Sequence, residues 1–383
     1  MSRIETSIFR LLKGKSAYRR LEQMLETSPK KKLFFMSTYS TLTSMKQRPE
    51  HFFDEFVARG YEVVIFDRNI AKPVKTIKQY WLVPFSYFKH LTLNLNIEKI
   101  IMSISTHDAI PNLEKHLLSC VENGIKVIYE HLDDFDLLKS APKVEKRLRE
   151  RFKTLCRCKE VIIVATADHL FDQAKAARNG SDENIYLVKN AVNPNDFSAS
   201  GNGYVPAELK EVVSKQMPIV GYYGVIHDAW FDYDLMNKVV SANKDMQFVL
   251  IGPMIGPECE KLKEHENLTY IPPVSYEKIP QYAQHFDVAV IPFQLNEITK
   301  STSPVKMFEY MAMKKPLIST PLKECMLYKS CLIAKDSAEF SSLLKKALEL
   351  KNDEDYIRLS QQEVAENTWS KRVEQIEKAL AKA

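Results

Sequence analysis

None of the six cysteines, Cys120, Cys156, Cys158, Cys259, Cys325 and Cys331, stands at CxxC or Cys/His zinc spacing. The sequence therefore offers no zinc-ligand set, no metal is expected, and the thiols read as reduced structural residues. No apolar run reaches the roughly eighteen residues that a transmembrane helix needs. Met1–Lys30 has neither the apolar stretch nor the cleavage site of a secretory signal, so the chain reads as cytoplasmic. No Gly-rich dinucleotide fingerprint follows the first strand-like run, which argues against a nicotinamide enzyme. Short repeats and low-complexity tracts are also missing, and no recognised nucleic-acid-binding motif accompanies the basic residues.

What is present is an ordinary globular composition, 45% hydrophobic and 27% charged, in 383 residues. That length exceeds what one growing core usually holds, so two domains are expected. Short apolar runs alternate with helical patterns: Leu33–Ser37, a helix from Pro49 to Arg59 closed by Gly60, then Tyr61–Phe66, Lys99–Met102, Lys126–Tyr129, Val161–Val164 and Ile185–Val188. This is the pattern of a doubly wound parallel sheet. After the small, polar stretch Ser198–Tyr204 a second alternation begins, with strands expected at Ile219–Tyr222, Gln247–Ile251, Leu268–Ile271, Val288–Ile291 and Leu317–Ser319. The predicted division is residues 1–197, residues 198–366, and a terminal helix over 367–383.

The stretch STSPVKMFEYMAMKKPLIST, Ser301–Thr320, carries the most chemistry. It predicts a helix with Ser303 at its N-cap and Pro304 at its first position, ended by Pro316. A helix opening beyond the carboxyl end of a parallel strand presents backbone N–H groups and a positive dipole end, which suits phosphate. Lys306 adds a full charge, and Glu309 lies one turn further along the same face, able to accept ribose hydroxyls. The alternative is a solvated helix pair contributing a few tenths of a kcal/mol.

The segment resembles the donor site of GT-B glycosyltransferases, close to family 4 and to teichuronic acid-type envelope-polysaccharide enzymes, whose pattern P-x-K-x-x-E-Y-x-A-x-G-K-P is matched by Lys306, Glu309 and Tyr310. QRPEHFFDEFVARGYEVVIFD resembles the opening of the same enzymes, KNAVNPNDF their interdomain turn, and NTWSKRVEQIEKAL their terminal helix. The resemblance implies two Rossmann-like domains facing across a cleft, the first binding the acceptor and the second the donor. It implies a nucleotide-sugar substrate, UDP- or GDP-linked, with Lys306 at the diphosphate and Glu309 at the ribose. Gly224, Gly252, Pro253, Val274, Ser303 and Met307 complete the expected donor site. Two positions depart from the pattern: Lys314 stands where glycine is usual, and Ser301 where the first acid of an E-x7-E form would be. The same scaffold also carries sugar-nucleotide epimerases, and a degenerate partner subunit is a third reading.

In the first half, loops after strand ends make His131, Asp133 and Asp134 the candidate acceptor-side catalytic residues, with His107 a weaker one. The D-x-D triplets Asp134/Asp136 and Asp232/Asp234 read as helix caps. Residues 1–32 interleave cations such as Arg3, Arg10, Arg19 and Arg20 with Ile8, Leu12, Leu21 and Leu25. Such a segment either lies on an anionic membrane surface, at the inner face of the plasma membrane, or docks on its own domain. The acceptor expected there is a glycan or lipid-linked oligosaccharide.

Overall fold

The computed structural model describes residues 15–36, 46–67, 69–76, 78–104, 110–135, 142–197, 203–257, 259, 262 and 265–383. The chain divides into two compact units, Met1–Lys189 together with Val373–Ala383, and Asn190–Arg372.

In the first unit, β1 (Lys32–Met36), β2 (Glu62–Asp67), β3 (Val74–Lys75), β4 (Trp81–Pro84), β5 (Ile100–Ile104), β6 (Lys126–His131), β7 (Ile162–Ala165) and β8 (Ile185–Leu187) form one sheet. Among the described residues its order is β3-β4-β2-β1-β5-β6-β7-β8, parallel except for β3 against β4. β2 is buried throughout, as expected where a parallel sheet is covered on both faces. The pair β3 and β4 escapes the sequence pattern because two-residue β3 is too short to show alternation. The order reverses between β1 and β5, which is where an open sheet of this kind leaves a crevice. The segments that follow those strands, 37–45 and 105–109 with His107, lie outside the described residues.

The segment QRPEHFF builds the helix Arg48–Ala58. From its first turn the Arg48 guanidinium turns inward, 3.0 Å from Glu130 Oε1 on β6, and donates to the carbonyls of Lys189 and Val188 at 3.0 and 2.8 Å. Glu130 is fully buried and its Oε2 has no partner. Burial pushes the Arg48 pKa down and the Glu130 pKa up, and their mutual attraction opposes both shifts. The described part of the basic segment is the helix Lys15–Thr27; its Leu21 and Leu25 are completely buried in the core of the first unit, while Arg19 and Arg20 are exposed. Over these residues the apolar face docks on its own unit. Near the other end of the chain, Glu377 accepts from Arg59 at 2.7 Å and from the Tyr61 hydroxyl at 3.0 Å, which fixes the last helix, Trp369–Lys382, to the first unit.

The second unit contains β9 (Ile219–Tyr223), β10 (Ile226–His227), β11 (Gln247–Ile251), β12 (Met254–Ile255), β13 (Leu268–Ile271), β14 (Val288–Ile291), β15 (Leu317–Ser319) and β16 (Cys331–Ile333). Six of these form a parallel sheet in the order β13-β11-β9-β14-β15-β16, and β10 pairs with β12 alone. After β14 comes a short helix, Glu297–Lys300, and then the expected one, which runs Val305–Ala312, starting one residue later than expected. Pro304, with ψ of 109°, is its N-cap, and Ser303 stands outside it. The lead-in is held by the Asn190 amide, which donates to the Ser303 carbonyl at 2.7 Å. The end is also earlier than Pro316: Lys314 takes the left-handed conformation, φ 59°, and the N–H groups of Lys314 and Lys315 close on the carbonyls of Met311 and Tyr310. This is the turn for which glycine is usual. Here a lysine adopts it, at a cost of about 1 kcal/mol.

Removing one partner of a buried ion pair leaves the other uncompensated, which typically costs about 3–5 kcal/mol. Arg48→Ala is therefore expected to lower unfolding free energy by that amount near neutral pH in urea titrations. The loss should shrink as pH falls, because the stranded Glu130 has a raised folded-state pKa and becomes neutral on protonation.

Candidate functional site

In the second unit the strand order reverses between β9 and β14, so the loops 224–232 and 292–304 meet at a switch point. They are tied together by backbone. Phe231 bridges Phe293, Asp232 N–H donates to the Pro292 carbonyl at 2.8 Å, and Gln294 N–H donates to that of Trp230 at 2.7 Å. The Asp232 carboxylate accepts from Leu235 N–H at 2.9 Å and so caps the helix Tyr233–Ala242, as its place in the D-x-D triplet suggested. The loop after β11 joins from the other side, through Gly224 N–H on the Ile251 carbonyl and Ile226 N–H on that of Pro253, both 2.9 Å.

Two glycines set how close these loops come. Gly224 and Gly252 have φ of 130° and 136°, and a Cβ on Gly252 would stand 2.2 Å from the Gly224 carbonyl oxygen. A Cβ on Gly224 would stand 2.8 Å from Lys306 Cε and 3.1 Å from its Nζ. The glycine loop thus lies directly against the lysine side chain. The Lys306 ammonium sits 5.4 Å from the centroid of the Tyr222 ring and 5.3 Å from that of Phe293, within cation–π range. Among the described residues it has no hydrogen-bond or ion-pair partner. Burial lowers its pKa, with Glu309 pulling the other way. A bound anion would favour the charged form and offset that desolvation.

Glu309 is buried, and its Oε2 accepts from the Tyr223 hydroxyl at 2.8 Å. The next residue, Tyr310, holds the same strand end, its hydroxyl oxygen accepting from Tyr223 N–H at 2.9 Å. Both tyrosine hydroxyls are pushed well above their usual pKa, chiefly by burial, and stay protonated. At the uncapped start of the helix the Ser301 and Ser303 hydroxyls are both buried, without a partner among the described residues. A half-buried ammonium, a positive helix end and two idle hydroxyls form a place suited to an oxyanion.

Of the predicted residues, Gly224, Gly252 and Lys306 are brought together, Pro253 is joined to them through Ile226, Ser303 lies just before the helix start, and Glu309 lies one turn beyond Lys306 in the same helix. The Met307 side chain is in the core, and Val274 lies on the loop after β13, which two other strands separate from β14. Sequence reading missed the aromatic partners Tyr222 and Phe293 and the tyrosine hydroxyl on Glu309. Their place at the carboxyl ends of β9 and β14 was the available signal.

In the first unit His131 is fully buried, stacked on Phe135 (5.1 Å, 23°) and close to Phe152 (4.3 Å), and burial pushes its pKa down to about 4. Its Nε2 lies 3.0 Å from Gln173 Oε1. Asp134 accepts from Gln173 at 2.7 Å and faces His169 Nε2 at 3.0 Å; the segment that it was expected to cap, from residue 136 on, lies outside the described residues. Asp133 is exposed, and Asp136 lies outside the described residues. His169 and Gln173, one turn apart on the helix Asp168–Ala177, were not singled out from the sequence. Among the described residues no group of three or more His, Cys, Asp or Glu side chains could hold a metal ion, and no helix is long and apolar enough to cross a membrane.

Comparison with known proteins bears on the fold. Residues 218–350 match the family model described as Glycosyl transferases group 1. A segment of 163 residues is 22% identical to TuaH of Bacillus subtilis (strain 168), named as a glycosyltransferase of teichuronic acid biosynthesis. It covers 42% of this chain and spans only 40% of that protein. Among solved structures, Anabaena HepE in complex with UDP superimposes with a TM-score of 0.63 at 13% identity, over 92% of this chain and 100% of that one. The α,α-trehalose 6-phosphate synthase of Burkholderia multivorans does so with a TM-score of 0.66 at 11% identity, over 93% and 99%. The two Rossmann-like units are those of the GT-B fold.

The two glycines differ in what opposes a side chain. At Gly252 the obstacle is backbone, whereas at Gly224 it is first the mobile end of Lys306. Gly252→Ala is expected to lose about 2–3 kcal/mol of stability, through positive φ and an unrelieved clash. Gly224→Ala should lose less, about 1–2 kcal/mol, by displacing the ammonium. Denaturant midpoints at unchanged slope would give the order, and equal losses would contradict it.

Proposed function

We propose that the second unit binds a nucleotide sugar, UDP- or GDP-linked, and that the protein transfers the sugar to a cell-envelope glycan or lipid-linked acceptor. The observation that carries this reading is the Lys306 ammonium, without a hydrogen-bond or ion-pair partner among the described residues. It lies against Gly224 and two aromatic rings at a helix start, with Glu309 one turn on. The donor diphosphate would occupy the helix tip. There Lys306, the helix dipole and the Ser303 hydroxyl stabilise the charge that grows on the leaving group as the glycosidic bond breaks, without a metal. Glu309, its orientation fixed by Tyr223, accepts a ribose hydroxyl. Support also comes from the family match over the second unit, from HepE structures with UDP and UDP-glucose, and from the teichuronic acid relative.

Lys306→Ala and Glu309→Gln should each weaken UDP or GDP binding about tenfold or more in calorimetric titration, since a hydrogen bond to a charged group contributes about 1.5–3 kcal/mol. Lys306→Ala should leave binding of the bare nucleoside unchanged. If both variants bind the diphosphate as tightly as the parent, the donor site is elsewhere.

The acceptor reading places the protein at an anionic membrane surface, reached through the cations of residues 1–32. Because Leu21 and Leu25 belong to the core, truncation would confound the test. Replacing Arg3, Arg10, Arg19 and Arg20 with glutamate should abolish sedimentation with phosphatidylserine vesicles, each cation near the surface contributing about 1 kcal/mol. Sedimentation that persists would remove this element of the proposal.

A further inference from the structure

The loop after β9 holds a histidine whose tautomer is fixed by the backbone. Ala229 N–H donates to His227 Nδ1 at 2.8 Å. A ring nitrogen that accepts an N–H carries no proton of its own, so the ring hydrogen is on Nε2. Among the described residues Nε2 has no hydrogen-bond partner, and His227 is only half-buried. The ring stacks on Trp230, with 4.6 Å between centroids and 20° between planes. Trp230 is held in turn, its Nε1–H donating to the Val225 carbonyl at 3.0 Å, and the Tyr222 hydroxyl donates to the same oxygen at 3.0 Å. Tyr222 carries the ring that lies against the Lys306 ammonium. A single carbonyl thus joins the His227–Trp230 stack to that lysine, and every residue involved belongs to the second unit. Large apolar side chains are exposed on two segments bonded to this loop. Ile255, the register partner of His227 across β10 and β12, is 46% exposed, and Leu295, next to the Gln294 N–H that donates to the Trp230 carbonyl, is 62% exposed.

We propose that the His227–Trp230 stack is the subsite for the sugar of the donor, with His227 Nε2–H donating to a sugar hydroxyl oxygen; this rests on the nucleotide-sugar reading above. A phosphate is drawn to the full charge of Lys306 and the positive helix end. The stack offers different chemistry, one hydrogen-bond donor fixed in place on a flat aromatic surface beside exposed apolar side chains. That combination suits a pyranose, whose C–H faces are apolar and whose rim carries hydroxyl acceptors. His227 is then a specificity-determining residue. A sugar without an oxygen opposite Nε2 leaves the N–H unpaired, and the loss falls on the sugar nucleotide while the nucleoside diphosphate is held as before.

The test is calorimetric titration of the full chain with UDP and GDP, and with UDP-glucose, UDP-galactose, UDP-N-acetylglucosamine, UDP-N-acetylgalactosamine, UDP-glucuronic acid and GDP-mannose. His227→Asn keeps an acceptor for Ala229 N–H but has no donor at the reach of Nε2. His227→Gln restores that donor and gives up the acceptor. His227→Asn should weaken the sugar nucleotide that the parent binds best about fivefold or more, with the matching nucleoside diphosphate unchanged within twofold. His227→Gln should hold the same sugar nucleotide within twofold of the parent. Long-range ¹H–¹⁵N spectra of the parent should show His227 protonated at Nε2. A histidine that only caps the turn would reverse the order of the two variants. That reversed order, an equal loss on the nucleoside diphosphate, unchanged binding in His227→Asn, or an Nδ1–H ring overturns the subsite while leaving the Lys306 site standing. A parent that binds UDP or GDP but none of the sugar nucleotides has the same consequence. A parent that binds none of these compounds overturns the nucleotide-sugar reading itself, and this inference with it.

Discussion

The candidate donor site depends on one close approach, that of the Gly224 loop to the Gly252 backbone on one side and to the Lys306 side chain on the other. Atoms that a β-carbon would displace are what let the loops after β9 and β11 close over the helix that follows β14. With that closure the ammonium lies against the packed Tyr222 and Phe293 rings instead of extending freely into water. A freely solvated lysine contributes little to specific anion binding, because bulk water screens it. A partly desolvated one with a fixed position is far more effective, and the lowered pKa of Lys306 is the counterpart of that arrangement.

Buried polar groups organise both units. Arg48 reaches Glu130 and two carbonyls at the end of the first unit, so its charge organises the chain that leads out of β8. Ser301 and Ser303 are buried beside a helix start, their hydroxyls without a partner among the described residues. Buried polar groups are usually satisfied, and unsatisfied ones concentrate where a ligand completes them.

Much of the fold was legible because parallel strands covered on both faces must be continuously apolar. Gln247–Ile251, Val288–Ile291 and Leu317–Ser319 were bounded correctly for that reason, and the partly buried edge strand Leu268–Ile271 was bounded correctly as well. The helix carrying Lys306 and Glu309 was legible from its proline and spacing, but not its ends. Its start depends on the Asn190 amide holding the Ser303 carbonyl more than a hundred residues away in sequence, and its stop on a lysine accepting a left-handed turn. β3, with two residues, carries too few for any period to register.

The sequence by itself determined the repeated strand–helix alternation, the absence of cysteine-based metal spacing, and the pairing of a lysine with a glutamate one turn later, since each is a local property of composition or period. Only the tertiary structure decided which side chains face those residues. Tyr223 reaches Glu309 across 86 positions, and Asp134 meets His169 across 35. It also showed that His131, the more conspicuous histidine in the sequence, is sealed between aromatic rings while His169 is open to solvent. Burial and partner choice arise from strand order, and strand order is set by packing between segments that no local pattern relates.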